Sequence, residues 1–238
     1  MPRTGRAETG GICCHVLNRG NGQLEVFHGE EDYTGFVELI GRACDRVDMR
    51  VLAWCLMPNH FHLVLRPRAD GDLAAWMQWL MTSHVRRHHR RHGTSGHVWQ
   101  GRFKSFPVEH RRPSRQQRQQ GVIETGEPLF EVIRYVERNP LRAGLVRRAE
   151  DWPWSSLRWA LGLADGPAWV SPSWLERPRD WAAQVNRPQT DAELAAMRRC
   201  LERGRPFGSE SWVQRIAERL GLESTLRPLG RPRKKPKK

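Results

Sequence analysis

A turn followed by a short alternating run constrains this chain more than any other feature. Pro58-Asn59 is a turn signal. After it, His60-Phe61-His62-Leu63-Val64-Leu65 alternates and then runs apolar, which reads as a strand. On a strand, His60 and His62 share one face, roughly 7 Å apart at Cα, while Phe61, Leu63 and Leu65 point into a core. Two imidazoles on one sheet face can hold one metal ion. Two surface histidines on a half-buried strand would look the same, so the surrounding residues must decide.

Those surroundings predict an α+β chain. Residues 10–18 read as a first strand, and Arg19-Gly20-Asn21-Gly22 as a turn. Tyr33, Phe36, Val37, Ile40, Cys44 and Val47 fall at helical spacing over 31–47. Residues 50–56 make a strand that the Pro58-Asn59 turn pairs with the histidine strand. A helix opens at Asp70-Gly71-Asp72, with Leu73, Trp76, Met77 and Leu80 as its stripe. Its second half carries Arg86, Arg87, Arg90 and Arg91 among His84, His88, His89 and His92. Cations suit a helix C-terminus, and a run this dense also suits a phosphate backbone. His84, His88 and His92 have ligand spacing, but the arginines beside them would repel an ion.

Residues 96–108 lead into a fourth strand. They interleave Trp99 with Gln100, Arg102 and Lys104, the pattern expected where bases stack and phosphates are gripped; an amphipathic edge strand is the plainer alternative. Residues 110–127 lose all periodicity and read as a mobile basic loop. A helix over 128–139 buries Leu129, Val132, Ile133 and Val136. From Asp151 the chain turns rich in Trp and Pro, with helices expected near 190–203 and 209–221. Three segments result: a core domain over 1–150, a helical extension over 151–228, and a disordered basic tail over 229–238 that includes Arg231 and Arg233.

The chain of 238 residues has a net charge of +14 and a pI near 10.8, so a polyanion is the expected partner. No stretch approaches the roughly 20 apolar residues of a membrane span, and no apolar run follows Met1. Five cysteines without Cys-x-x-Cys spacing read as reduced thiols. A cytoplasmic, nucleoid-associated protein is expected.

The chain has two tyrosines. Tyr33 belongs to the stripe of the first helix, whereas Tyr135 lies off the centre of its own stripe, at the edge of the buried face. Asn139 follows four residues later, so its amide can neighbour Tyr135; it can equally cap the helix before Pro140. A tyrosine can form a covalent intermediate, and an ion held by two imidazoles can polarise a phosphodiester. Together they suggest cutting and rejoining a nucleic-acid strand.

Four motifs then line up in order over residues 8–160. They are His15-Val16-Leu17-Asn18-Arg19-Gly20-Asn21, Met57-Pro58-Asn59-His60-Phe61-His62, Trp99-Gln100-Gly101-Arg102-Phe103-Lys104, and a run from Tyr135-Val136-Glu137-Arg138-Asn139-Pro140 through Arg142 to Val146. The set resembles the IS200/IS605-like single-tyrosine transposases of the HUH superfamily, and within them the REP-associated tyrosine transposases. The resemblance implies a ferredoxin-like, RRM-like antiparallel sheet with helices on one face. It implies Tyr135 as nucleophile and His60, His62 and Asn139 as ligands of Mg²⁺ or Mn²⁺. The implied substrate is single-stranded DNA beside hairpins such as REP-like palindromes, cut to give a 5′-phosphotyrosine and a free 3′-OH by a monomer or homodimer. Arg19 and Arg142, inside the motifs, join the expected DNA-binding set. The long basic segment 110–127 departs from the short acidic link of such relatives. A catalytically idle hairpin binder is the second reading; a rolling-circle initiator or relaxase ranks lower, since no helicase-like region follows.

Overall fold

A four-stranded antiparallel sheet divides the molecule into two layers. The computed structural model describes residues 9–110, 127–167, 169, 175 and 177–227. The strands are β1 (Cys13–Arg19), β2 (Met49–Met57), β3 (His60–Pro67) and β4 (Lys104–Val108), in the order β2-β3-β1-β4. The β2–β3 hairpin turns at Pro58-Asn59 and pairs Met57 with His60 and Cys55 with His62. On the other side of β3, Arg19 faces His60 and Leu17 faces His62. The strands are apolar almost throughout because both faces are covered.

One face carries α1 (Glu30–Cys44) and α2 (Asp72–His92). Phe61, Leu63 and Leu65 pack there against Phe36, Ile40, Trp76, Met77 and Leu80. Three acids in the first turn of α1 complement the helix dipole. A left-handed Gly93 ends α2. Beyond it, the strand expected from 96–108 starts only at Lys104. Gly96 and Gly101 have φ of 91° and 106°, and this left-handed region breaks a ladder; an isolated bridge from Gly20 to Trp99 and an Asn18 Nδ2 bond to the Gly101 carbonyl hold the segment.

The expected α+β core is therefore present, with its two crossover helices on one face. The opposite face is covered by α3 (Pro128–Glu137), which buries Leu129, Val132, Ile133 and Val136 against Val64, Phe106 and Val108. Its Glu127 side chain caps Phe130 N–H at 3.1 Å, with Pro128 in the first turn. The helix expected to run to 139 stops at Glu137, and α4 (Asn139–Arg142) restarts it. The break falls just ahead of Asn139-Pro140, where proline restricts the residue before it and suits a new first turn.

The C-terminal extension folds as α5 (Ser156–Ala160), α6 (Trp181–Asn186), α7 (Asp191–Arg203) and α8 (Glu210–Leu220). The last two match the expected positions, and a Thr190–Glu193 capping box starts α7. Arg134 donates to the Gln184 and Arg187 carbonyls and to Glu193, and Arg138 to the Val185 carbonyl. All five cysteines are free, and all but Cys44 are buried. Residues 111–126 of the basic segment and the tail with Arg231 and Arg233 lie outside the described residues.

Candidate active site

The sheet face opposite α1 and α2 presents His60 and His62 to α3. Asn59, in the hairpin turn, orients the first. Its Nδ2 donates to the Gln23 carbonyl at 3.0 Å, which turns Oδ1 toward His60 Nδ1 at 2.7 Å. Nδ1 of His60 then carries the proton and Nε2 keeps its lone pair. His62 is buried, and its Nδ1 lies 2.9 Å from Nε2 of the fully buried His15. Each candidate ligand thus uses Nδ1 in a supporting hydrogen bond and leaves Nε2 for an ion, the arrangement usual around metal-bound histidines.

The electrostatics keep these rings neutral, as ligation requires. Burial, reinforced by Arg19 and Arg142, pushes His60 down to about 4. Burial pushes His15 to about 3. Burial and the neighbouring rings of His60 and His15 hold His62 well below the ordinary histidine value.

Tyr135 stands over this pair. Its ring meets His62 edge-on with centroids 5.7 Å apart and His15 at 6.3 Å. The Arg142 guanidinium lies 4.2 Å from the tyrosine ring centroid. Asn139 is buried at the start of α4, and its Nδ2 has no hydrogen-bond partner. That orphan N–H donor on the cleft wall suits an acceptor such as a phosphate oxygen, whereas an ion would take the Asn139 Oδ1 atom. The donor set of two neutral imidazoles and a carboxamide fits a divalent ion. His60, His62, Tyr135 and Asn139 line one cleft of about 600 Å³, together with Arg19, Gln100, Arg102, Lys104 and Arg142. A tyrosine hydroxyl, two neutral imidazoles and several cations in one cleft are groups able to carry out phosphoryl transfer.

Residues 10–119 match the family model described as "Transposase IS200 like". This span contains the sheet and both histidines. Over this span the chain is similar to IS200-like transposases. A REP-associated tyrosine transposase of Haemophilus influenzae is 26% identical over 126 residues, 48% of this chain and 62% of that protein. The chain thus spans less than two thirds of this curated relative. A structure of a REP-associated tyrosine transposase bound to a REP hairpin is 19% identical. It has a TM-score of 0.49 and covers 74% of this chain and 98% of its own. A Deinococcus radiodurans protein described as a transposase has 16% identity and a TM-score of 0.36, covering 50% and 92%.

Among the described residues, the others expected to face DNA lie away from this cleft. Arg86 lines a second groove, of about 720 Å³, which shares Asn18 and Arg102 with the first. Arg87 pairs with Glu38, and Arg91 with Glu31 and Asp32, so both turn toward α1. Arg90 is exposed. Trp99 lies inside rather than on the surface, edge-on to Phe61 at 5.2 Å. The 96–104 segment therefore presents its amide and cations outward and anchors itself with the ring. The indole is too large and apolar to leave the core uncovered.

Sequence reasoning missed the supporting shell of His15 and Asn59. One signal was available for His15: it is a lone polar residue in the strand Cys13-Cys14-His15-Val16-Leu17, in register with the face that carries His62. Tyr33, by contrast, is buried as expected, stacked on Trp154 with centroids 4.9 Å apart.

Proposed function

We propose that this protein cuts and rejoins single-stranded DNA beside hairpins through a covalent bond to Tyr135. The observation that carries the reading is the placement of the Tyr135 ring, edge-on to His62 in a cleft that also holds His60 and Asn139. The Tyr135 phenolic oxygen attacks the phosphorus. The phosphorus–O3′ bond breaks, leaving a 5′-phosphotyrosine and a free 3′-OH that takes up a proton. Attack by a 3′-OH reverses the step and releases the tyrosine, so the bond energy is kept and no nucleotide cofactor is needed. A divalent ion, Mg²⁺ or Mn²⁺, held by His60, His62 and Asn139 would act as the Lewis acid for the phosphodiester. Arg142 and Arg19 place positive charge around the scissile group, and Gln100, Arg102 and Lys104 extend that surface along the strand.

The proposed substrates are REP-like palindromes, and a monomer or homodimer in the bacterial cytoplasm, at the nucleoid, is the proposed setting. No helix of the described residues is long and apolar enough to cross a membrane. The deciding experiment incubates the protein with labelled hairpins and flanking single strands in Mg²⁺ or Mn²⁺ and looks for a denaturant-stable protein–DNA adduct. Wild type and Tyr33→Phe should form it and Tyr135→Phe should not, although Tyr135→Phe should still bind the hairpin. If wild type forms no adduct in either metal, hairpin binding without catalysis replaces this reading.

A further inference from the structure

A second group of histidines sits in the α1–α2 layer, on the side of the sheet away from the cleft. One ring nitrogen from each of His28, His88 and His92 lies within 4.8 Å of the others. His88 and His92 are one helical turn apart on α2, and His28 comes from the segment just before α1. We infer that these three residues form a second metal site, suited to a transition-metal dication of the Zn²⁺ class, which prefers imidazole.

The three rings are prepared for ligation in different ways. His88 Nε2 is buried with no hydrogen-bond partner, an orphan atom inside the cluster. The other nitrogen of that ring, Nδ1, lies 3.5 Å from the Thr94 hydroxyl, which can accept its proton and free the Nε2 lone pair. His92 Nε2 lies 3.0 Å from Asp32 Oδ1. A carboxylate on one imidazole nitrogen orients the ring and raises the basicity of the other, the common support for a metal-bound histidine. Asp32 itself is buried and held in place, since its Oδ2 accepts the His28 backbone N–H at 2.9 Å. His28 is exposed and supplies the rim. Nitrogens bound to a tetrahedral ion at about 2.0–2.1 Å are about 3.4 Å apart. The cluster needs a small contraction to reach that spacing.

The arginine run on α2 does not oppose an ion as its sequence suggests. Arg91 pairs with Glu31 and Asp32, and Arg87 with Glu38. These paired groups, three carboxylates and two guanidiniums, sum to one negative charge with neutral imidazoles. His84, which shares the sequence spacing, is not a ligand here. It is buried among Phe27, Phe36 and Trp99, and His28 takes its place. An ion at this position would tie the start of α1 to the end of α2. It would thereby hold the 93–104 segment that carries Gln100, Arg102 and Lys104.

Co²⁺ serves as the spectroscopic probe, titrated into the metal-free full-length protein in parallel with Zn²⁺ melting curves. His60→Ala/His62→Ala should retain one equivalent of Co²⁺ with visible d–d absorption and a Zn²⁺-induced rise in Tm of a few degrees. His88→Gln/His92→Gln, and separately the exposed His28→Gln, should weaken that equivalent at least tenfold and lose the rise. Each variant is compared with its own metal-free form in chelator, so that the Zn²⁺-induced rise is read rather than the absolute Tm. The inference is overturned if His60→Ala/His62→Ala takes up no Co²⁺, or if its uptake is unchanged when His28, His88 and His92 are replaced in that background.

Discussion

His15 illustrates how a residue outside any ligand set can govern a site. It is fully buried, and its Nε2 holds His62 Nδ1 at 2.9 Å. Loss of such a supporting partner typically weakens metal binding 10- to 100-fold. His15→Phe keeps the bulk beside Phe106 but removes the hydrogen bond, so cleavage should need about 10–100 times more Mn²⁺. Activity should return at saturating metal, and a metal titration of the cleavage rate reads this directly. An unchanged half-saturation point would remove His15 from the site. His60→Ala or His62→Ala should behave differently, losing cleavage at all metal concentrations while hairpin affinity stays near wild type. Affinity of this kind rests on phosphate contacts rather than on the imidazoles. Wild-type cutting in Mg²⁺ by either variant would contradict the ion assignment.

The helix that carries Tyr135 owes its position to the residues around Glu137. This carboxylate is fully buried and accepts from Ser156 Oγ at 2.7 Å, Trp181 Nε1 at 2.7 Å and Arg177 at 3.1 Å. Arg177 also donates to the Leu52 carbonyl, so the C-terminal extension is tied through α3 to strand β2. Breaking a buried pair by removing one partner leaves an uncompensated charge and costs about 3–5 kcal/mol. Arg177→Met should destabilise by that amount in urea unfolding, and Arg177→Met/Glu137→Leu should recover part of it. A loss below about 1 kcal/mol for the single variant would show that Glu137 is satisfied without it. These elements also mark what was legible in the sequence. Period-2 and period-3.6 patterns reveal β1 to β3, α1, α2, α3, α7 and α8, because each buries one regular stripe. Short α5 and α6 escaped because five- and six-residue helices carry too few apolar positions to define a period. The roles of Glu137 and Arg138 escaped because their partners lie about 20 to 50 residues away, and spacing along the chain says nothing of such contacts. The histidine pair was legible through its strand. Helical spacing aligned His84 with His88 and His92, but it cannot tell that the fold turns His84 inward and brings His28 beside the other two.

At the scale of the whole molecule, burial of neutral imidazoles sets an acid limit. His15 and His84 are pushed by burial to about 3, His60 to about 4, and His62 well below the ordinary value of 6.5. Above pH 6.5 these rings are neutral in both folded and unfolded chains and contribute no pH dependence. Below it the unfolded chain binds protons that the folded chain cannot, so stability falls as pH falls toward the folded values. Each ring costs about 1 kcal/mol over the first unit below 6.5, or on the order of 4 kcal/mol for the four together. That is a large fraction of the roughly 5–15 kcal/mol of a typical domain. Asp32, Glu150 and Glu193, whose carboxyls are held below their ordinary values, lose stability only in more acidic solution and do not confuse this window. For Asp32, burial works against the carboxylate but is outweighed by hydrogen bonds from His28 N–H and His92 and by the Arg91 charge; for Glu150 and Glu193 it is outweighed by their own hydrogen bonds and arginine partners. Urea unfolding in chelator at pH 7.5, 6.5 and 5.5 should therefore show a steep loss in the last step. His84→Gln, far from the cleft, should flatten that step by about a quarter of the total, since it removes one of the four rings. Saturating Mn²⁺ should raise stability by a similar amount at all three pH values and leave the step as steep, because the folded His60 and His62 rings it would engage are already neutral across this window. A stability that stays level from pH 7.5 to 5.5 would mean that the folded chain admits these protons, and that the cleft is wetter and its rings more basic than their burial implies.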